Sequence, residues 1–267
     1  MDDNTIQDSL LFPLIGRFVC NRKWPRIFRD NHADYLIRKL EINVGAKEYG
    51  TVSNLLLGFR HMINTVAARC YIKKHPNAHI INMGCGLDTI FDNIDNGKIR
   101  YYNLDSADII ALRNKYFELS ERETDLPFTI MNFKWMDEVD FKEEDGALFL
   151  AAGAFNYLKE EDIKRIVDRL SEEFPGCQLS FDVKSSAIVR NKIKKARKHE
   201  LTGAKMQLKL EDPLSIKNWN NGIKRVHVIK DFSCGLIRND AFPLWLKCIV
   251  FVINKMRLLY QVIIDFE

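Results

Sequence analysis

Through the middle of the chain, short unbroken apolar runs alternate with stretches whose apolar positions recur every three or four residues. The first run, AHIINM at 78–83, predicts a strand that ends in a glycine turn, Gly84-Cys85-Gly86. LDTIFDNID (87–95) predicts a short helix and IRYYNLD (99–105) a second strand. SADIIALRNKYFELS (106–120) predicts a helix opened by Ser106 and Asp108. PFTIMNF (127–133) and GALFLAAGAF (146–155) predict the third and fourth strands. KEEDIKRIVDRLSEEF (159–174) predicts a helix with Glu160 and Glu161 in its first turn, followed by a fifth strand, CQLSFDV (177–183). Apolar strands that alternate with helices imply a mostly parallel sheet covered on both faces.

Both ends depart from that rhythm. Residues 1–75 predict a helical N-terminal cap of the same domain, broken at Pro13, Pro25 and Gly45–Gly50. Within it, HADYLIRKLEI (32–42) has helical spacing. SNLLLGFRHMINTVAARCYIKKH (53–75) is a longer helix, with Ser53 or Asn54 as N-cap and Pro76 just past its end. After the fifth strand come a basic helix (185–199), RVHVIKDF (225–232), an apolar helix AFPLWLKCIVFVINKM (241–256) and a last strand LLYQVIIDFE (258–267). The expected architecture is α/β and Rossmann-like. Its core spans 76–267, with a seven-stranded, mostly parallel sheet that has an antiparallel edge strand.

Composition changes this picture little. A chain of 267 residues is ample to bury a core, and basic residues exceed acidic ones by four (40 against 36), so no strong field points to nucleic acid. Six scattered cysteines without a CxxC pair, and a start without a signal-peptide pattern, fit reduced thiols in the cytoplasm. No metal is expected, since neither paired cysteines nor an HExxH-type histidine motif occurs. The apolar run at 241–256 is interrupted by Lys247, Asn254 and Lys255. It falls short of about 18 uncharged residues, so it predicts a buried helix rather than a membrane span.

Candidate chemistry lies at strand ends, where open α/β sheets bind ligands. Gly84, Cys85 and Gly86 let backbone approach a ligand. Asp105, about 20 residues on, can accept bonds from both hydroxyls of a ribose, with Ser106 beside it. Asn132 can pair with an adenine edge and Phe133 can cover its face. Ala152 opens the small-residue segment after the fourth strand, and Asn156 and Tyr157 are candidate acceptor-pocket residues. Together these suit an adenosine ligand. A dinucleotide would want a third glycine where Thr89 stands, so S-adenosylmethionine is favoured over NAD.

The segments HPNAHIINMGCGLDT, YYNLDSADIIALRNKYF, WMDEVD and ALFLAAGAFNYLKEEDIKRIVDRLSEEFPGCQLSFDV resemble the leucine carboxyl methyltransferase family, which includes O-methyltransferases of polyketide biosynthesis. The resemblance runs from about residue 9 to the C-terminus. It implies a class I, S-adenosylmethionine-dependent O-methyltransferase acting on a small-molecule or carboxylate acceptor. It also implies that Arg60, on the helix before the first strand, forks two donors to the methionine carboxylate. Four positions depart from the family: Ile90 for arginine, Thr65 for aspartate, Asn132 for aspartate and Ala152 for glutamate. These motivate an alternative, a relative with weakened catalysis that binds a partner. An RNA methyltransferase is motivated only by Arg190, Lys192, Lys194, Lys195, Arg197 and Lys198, among which no aromatic residue is interleaved. No general base stands out, and methyl transfer to a carboxylate needs alignment more than a base.

Overall fold

The computed structural model describes residues 8–47, 50–184, 207–208, 210, 212–257 and 259–267. His79–Met83 (β1) and Ala147–Ala151 (β4) are buried at every position and pair in parallel, the pattern of strands covered on both faces. Beyond β1 lie β2 (Arg100–Asp105) and β3 (Glu123–Pro127), while beyond β4 lies β5 (Gln178–Lys184). β6 (Ile223–Ile229) and β7 (Leu259–Phe266) complete a seven-stranded sheet in the order β3-β2-β1-β4-β5-β7-β6. β7 runs antiparallel to both β5 and β6, so the antiparallel strand lies one in from the edge and β6 is outermost.

Helices cover both faces. On one, α7 (Glu160–Glu173) buries Ile163, Ile166, Val167 and Leu170 against Phe149, Leu179 and Trp135. On the other, α4 (Thr51–Ile72) and α5 (Ile90–Ile94) close over Ile80, Tyr101, Leu148 and Leu150. The cap is made of α1 (Asp8–Lys23), α2 (Asn31–Lys39), the single turn α3 (Val44–Lys47) and the start of α4. α6 (Ala107–Arg113) follows β2, and α8 (Leu244–Lys255) packs Leu246 and Val250 on Phe28, Phe59 and Phe242.

Several expected boundaries shift, each for a physical reason. Pro13 lies inside α1. Its ring removes one backbone donor, but Leu11, Leu14 and Ile15 are buried around it and carry the helix through. α4 starts after Gly50, whose φ of +81° turns the chain, and Asn54 is buried inside the helix instead of capping it. α6 ends at Arg113 rather than near residue 120. The third strand is ETDLP at 123–127, not 127–133. As an edge strand it buries only Leu126 and binds through polar groups such as Asp125, which accepts from Asn103 Nδ2 at 3.1 Å. The apolar run at 128–133 packs on the core without joining the ladder. β4 stops at Ala151 because Gly153, at φ +86°, turns the chain into a short 3-10 segment, Ala154–Tyr157. α8 is not buried all round, for its outer side exposes Leu244, Trp245, Phe251 and Val252. The basic stretch at 185–199 lies outside the described residues.

Candidate active site

Strand order runs away from β1 and β4 in opposite directions, so the switch point lies between them. At their carboxyl ends is a cavity of about 350 Å³, walled by the glycine turn, Asp105, Arg60, Ala152, Gly153 and Tyr157. A larger open cleft of about 810 Å³ between α2 and the end of α6 contains none of these strand-end residues.

The turn after β1 needs its glycines. Gly84 and Gly86 have φ of +71° and +49°, and a Cβ on Gly84 would lie 2.7 Å from Ala154 Cβ. The turn and the loop after β4 therefore touch without an intervening side chain. Asp105 is tied to the same turn: its Oδ2 accepts from Gly86 N–H at 2.9 Å and its Oδ1 from Ser106 N–H at 2.8 Å. Burial raises the Asp105 pKa despite these two donors. Ser106 Oγ turns to Asp108. Cys85 is buried, and burial pushes its thiol up to about 12, so it contributes backbone rather than thiolate.

Arg60 comes from α4 and is mostly buried, its Nη1 3.9 Å from Asp182 Oδ2 at the end of β5. Its guanidinium lies directly against Gly153, where an added Cβ would come within 2.4 Å of Nη1. Asp182 is held under the loop, accepting from Gly153 N–H and from Asn156 Nδ2 at 3.2 Å. Asn156 is thus buried as a brace of the β4 loop, while Tyr157 faces the cavity.

Asn132 and Phe133 lie away from this group. Because β3 ends at Pro127, Ile130 is the residue of that segment that reaches the cavity. Asn132 instead caps a short 3-10 segment (Phe133–Glu138) through Lys134 N–H. The Phe133 ring lies near the guanidinium groups of Arg165 and Arg169 on α7, at 6.0 and 5.7 Å.

Among the lining residues that no sequence pattern marks are Arg17, His61 and Asp88. Arg17 is buried on α1, with Nε 3.3 Å from Asp30, Nη1 3.6 Å from Asp88 and Nη2 donating to Leu87 O at 2.7 Å. Thr89 Oγ donates to Asp30 at 3.1 Å. The Leu87-Asp88-Thr89 segment therefore locks the cap to the glycine turn. Burial would push both carboxyls up, but Asp30 is held low by Arg17 and His61, and Asp88 by His61 and Arg17. The signal for this lock was present in GLDT, but its partner is about 70 residues away. His61 is buried with Nδ1 3.7 Å from Asp88, and among the described residues neither ring nitrogen has a hydrogen-bond partner.

Besides Asn132, two further departures from the family pattern fall outside the cavity lining. Thr65 is buried and satisfies its hydroxyl on His61 O at 2.9 Å, while Ile90 packs fully buried with Ala68, Tyr71 and Ile72. Ala152 does line the cavity. Among the described residues, no group of His, Cys, Asp and Glu is placed to hold a metal, and no helix is long and apolar enough to cross a membrane.

No protein-family model matches the chain. A curated relative, the tetracenomycin polyketide synthesis O-methyltransferase TcmP of Streptomyces glaucescens, is 24% identical over 178 residues. That match covers 66% of this chain and 65% of the relative, so the chain spans just under two thirds of the relative's length. The expected resemblance to O-methyltransferases of polyketide synthesis is borne out. A provisionally assigned methyltransferase from Thermobifida fusca YX shares the fold at a TM-score of 0.58 and 13% identity, over 80% of this chain and 82% of that one. The plantazolicin methyltransferase BpumL, solved with an analogue of desmethyl-plantazolicin and S-adenosylhomocysteine (SAH), aligns at a TM-score of 0.50 and 15% identity. That alignment covers 98% of this chain and 99% of BpumL. The fold is that of class I methyltransferases.

Proposed function

We propose that the chain is an S-adenosylmethionine-dependent O-methyltransferase whose cofactor lies in the cavity of about 350 Å³ at the β1–β4 switch point. One observation carries this reading. A guanidinium, a strand-end carboxylate and a glycine turn line the same cavity, the complement of an amino-acid carboxylate, a ribose diol and a close-approaching ligand backbone. Arg60, fixed by Asp182 and Gly153, would take the methionine carboxylate. Asp105 has one N–H on each oxygen and keeps lone pairs for ribose hydroxyls. Position 89 argues against a dinucleotide, since the Thr89 side chain is buried and tied to Asp30.

When bound, S-adenosylmethionine supplies an electrophilic methyl on a sulfonium. The chain's own part is to orient an acceptor and exclude water. Leu10, Phe12, Leu14 and Leu57 make an apolar wall on the cap side and Tyr157 stands on the β4 side. That lining suits an apolar small molecule bearing a carboxylate or hydroxyl, in keeping with the polyketide role of TcmP. A carboxylate acceptor needs no base. For a hydroxyl acceptor, His61 is the imidazole in the lining, its Nδ1 3.7 Å from Asp88. Because Thr65 bonds within α4 and Ile90 packs between α4 and α5, these two departures do not argue for a partner-binding protein.

Calorimetry tests the reading: SAH should bind with micromolar affinity and NAD should not. Absence of SAH heat, or binding of NAD in its place, would sink it. Transfer of a labelled methyl to a panel of aromatic carboxylic acids and phenols then identifies the acceptor class.

A further inference from the structure

We propose that the outward face of α8 is a membrane-association surface that rests on anionic lipid, lying in the interface without spanning it. This inference is independent of the cofactor reading. α8 buries Leu246 and Val250 in the protein but leaves Leu244, Trp245, Phe251, Val252 and the following Met256 between 49% and 75% exposed. With 3.6 residues per turn, these positions fall within an arc of about 140° around the helix. Cys248 and Lys255 are also exposed in that arc, and Lys255 is its only charged side chain. Five large apolar groups on one helix face are more than the scattered exposure of an ordinary surface.

The charge around this face selects the occupant. Between residues 230 and 257 stand Lys230, Arg238, Lys247, Lys255 and Arg257, against Asp231 and Asp240. Asp231 is turned inward, accepting from Ser233, Gly235 and Asn254, and the exposed Asp240 pairs with Lys247 at 3.8 Å, which leaves the exposed Lys230, Arg238, Lys255 and Arg257 as a basic rim. A second copy docking isologously would set this rim against itself, like charge on like. Anionic headgroups complement it, and the acyl boundary takes Trp245, Phe251 and Leu244 while Lys255 extends towards the headgroups. At 12 residues α8 is about 18 Å long, against about 20 residues needed to cross a bilayer, so it can only lie flat.

The test uses the full chain and vesicles of phosphatidylcholine with or without phosphatidylglycerol. Co-sedimentation should favour the anionic vesicles at least tenfold and weaken as salt is raised. The double variant Trp245→Ser/Phe251→Ser should lower binding roughly tenfold, and Lys255→Glu/Arg257→Glu should abolish the preference for anionic lipid. Both variants should melt within a few degrees of the parent, because the altered side chains are exposed. The proposal is overturned if the chain ignores anionic vesicles or if the apolar double variant binds them like the parent. It is equally overturned if light scattering shows a dimer in buffer that the apolar double variant converts to monomer.

Discussion

Replacing Gly153 by alanine should damage ligand binding far more than stability, and two control glycines make the effect separable. Gly153 has φ of +86°, where a Cβ costs about 1–2 kcal/mol. Gly97 and Gly176, at +78° and +71°, carry the same backbone cost, but nothing lies within 4 Å of an added Cβ. At Gly153 the new methyl would sit 2.4 Å from Arg60 Nη1, and ordinary contact begins at 3.4 Å, so the guanidinium must retreat by about 1 Å. The far end of an arginine yields cheaply, so stability registers little beyond the φ cost. The ligand registers the movement. Losing one well-placed charge-assisted bond weakens binding by about 1.5–3 kcal/mol, or roughly 10- to 150-fold.

In thermal melts all three alanine variants should fall together by about 2–8 °C. In calorimetry with SAH, Gly97→Ala and Gly176→Ala should bind like the parent, whereas Gly153→Ala should lose one to two decades of affinity. If Gly153→Ala binds as tightly as the other two, Arg60 does not hold the ligand and the proposed polarity of the cavity is wrong.

Other variants separate the remaining roles. Arg17→Met leaves Asp30 and Asp88 without their guanidinium partner, so the melting temperature should drop by at least about 6 °C, from a loss of about 3–5 kcal/mol. Both carboxyls are held below the usual 3.8, so their stabilisation is present above that pH and is lost on acidification; acid titrations of Arg17→Met should show that loss beginning at higher pH. Asp105 is the opposite case. Its raised pKa means that its contribution to stability falls as pH climbs from 3.8 through the folded value, while SAH affinity rises over that window as the carboxylate ionises. Asp105→Asn should flatten that rise in calorimetry. Asn132→Ala should cost only about 0.5–2 kcal/mol for the lost cap and leave SAH affinity unchanged; a clear loss of affinity would restore Asn132 to the site.

Sequence pattern is informative where one physical effect dominates. β1, β4 and β5 are buried throughout their middles, so their apolar runs marked them, and the glycine turn and Asp105 follow from where β1 and β2 end. β3 leaves no apolar alternation to read, because an edge strand holds its register by ladder bonds and by side chains such as Asp125. The apolar run at 127–133 reads as the strand instead, which places Asn132 and Phe133 at a strand end they do not occupy. The Arg17–Asp30–Asp88 lock was invisible for a different reason. Its members lie on α1, before α2 and after β1, and no local pattern relates residues so far apart. Arg60 is legible only through the family resemblance, since a lone arginine on a long helix has no distinguishing period.

Ala152 is the departure that still bears on activity, because it alone of Thr65, Ile90 and Ala152 lines the cavity. Arg60 offers a partner to the ligand's carboxylate, but the carboxylates nearby are engaged. Asp182 lies beneath Gly153 with two donors, and Asp88 is held by Arg17 and His61. The ligand's ammonium therefore lacks a carboxylate of its own where the family carries glutamate. Ala152→Glu should supply one, tightening SAH binding by about one to two decades, since a charge-assisted bond contributes about 1.5–3 kcal/mol. Methionine alone, as a probe of the amino-acid end, should gain by a similar factor, while adenosine should gain nothing. Thermal shifts with and without SAH read the alternative directly. If Ala152→Glu melts earlier than the parent and SAH does not raise its midpoint, the glutamate is a buried charge without a partner. The pocket would then have been rebuilt for something other than an amino-acid end, and the methyltransferase reading would fall with it.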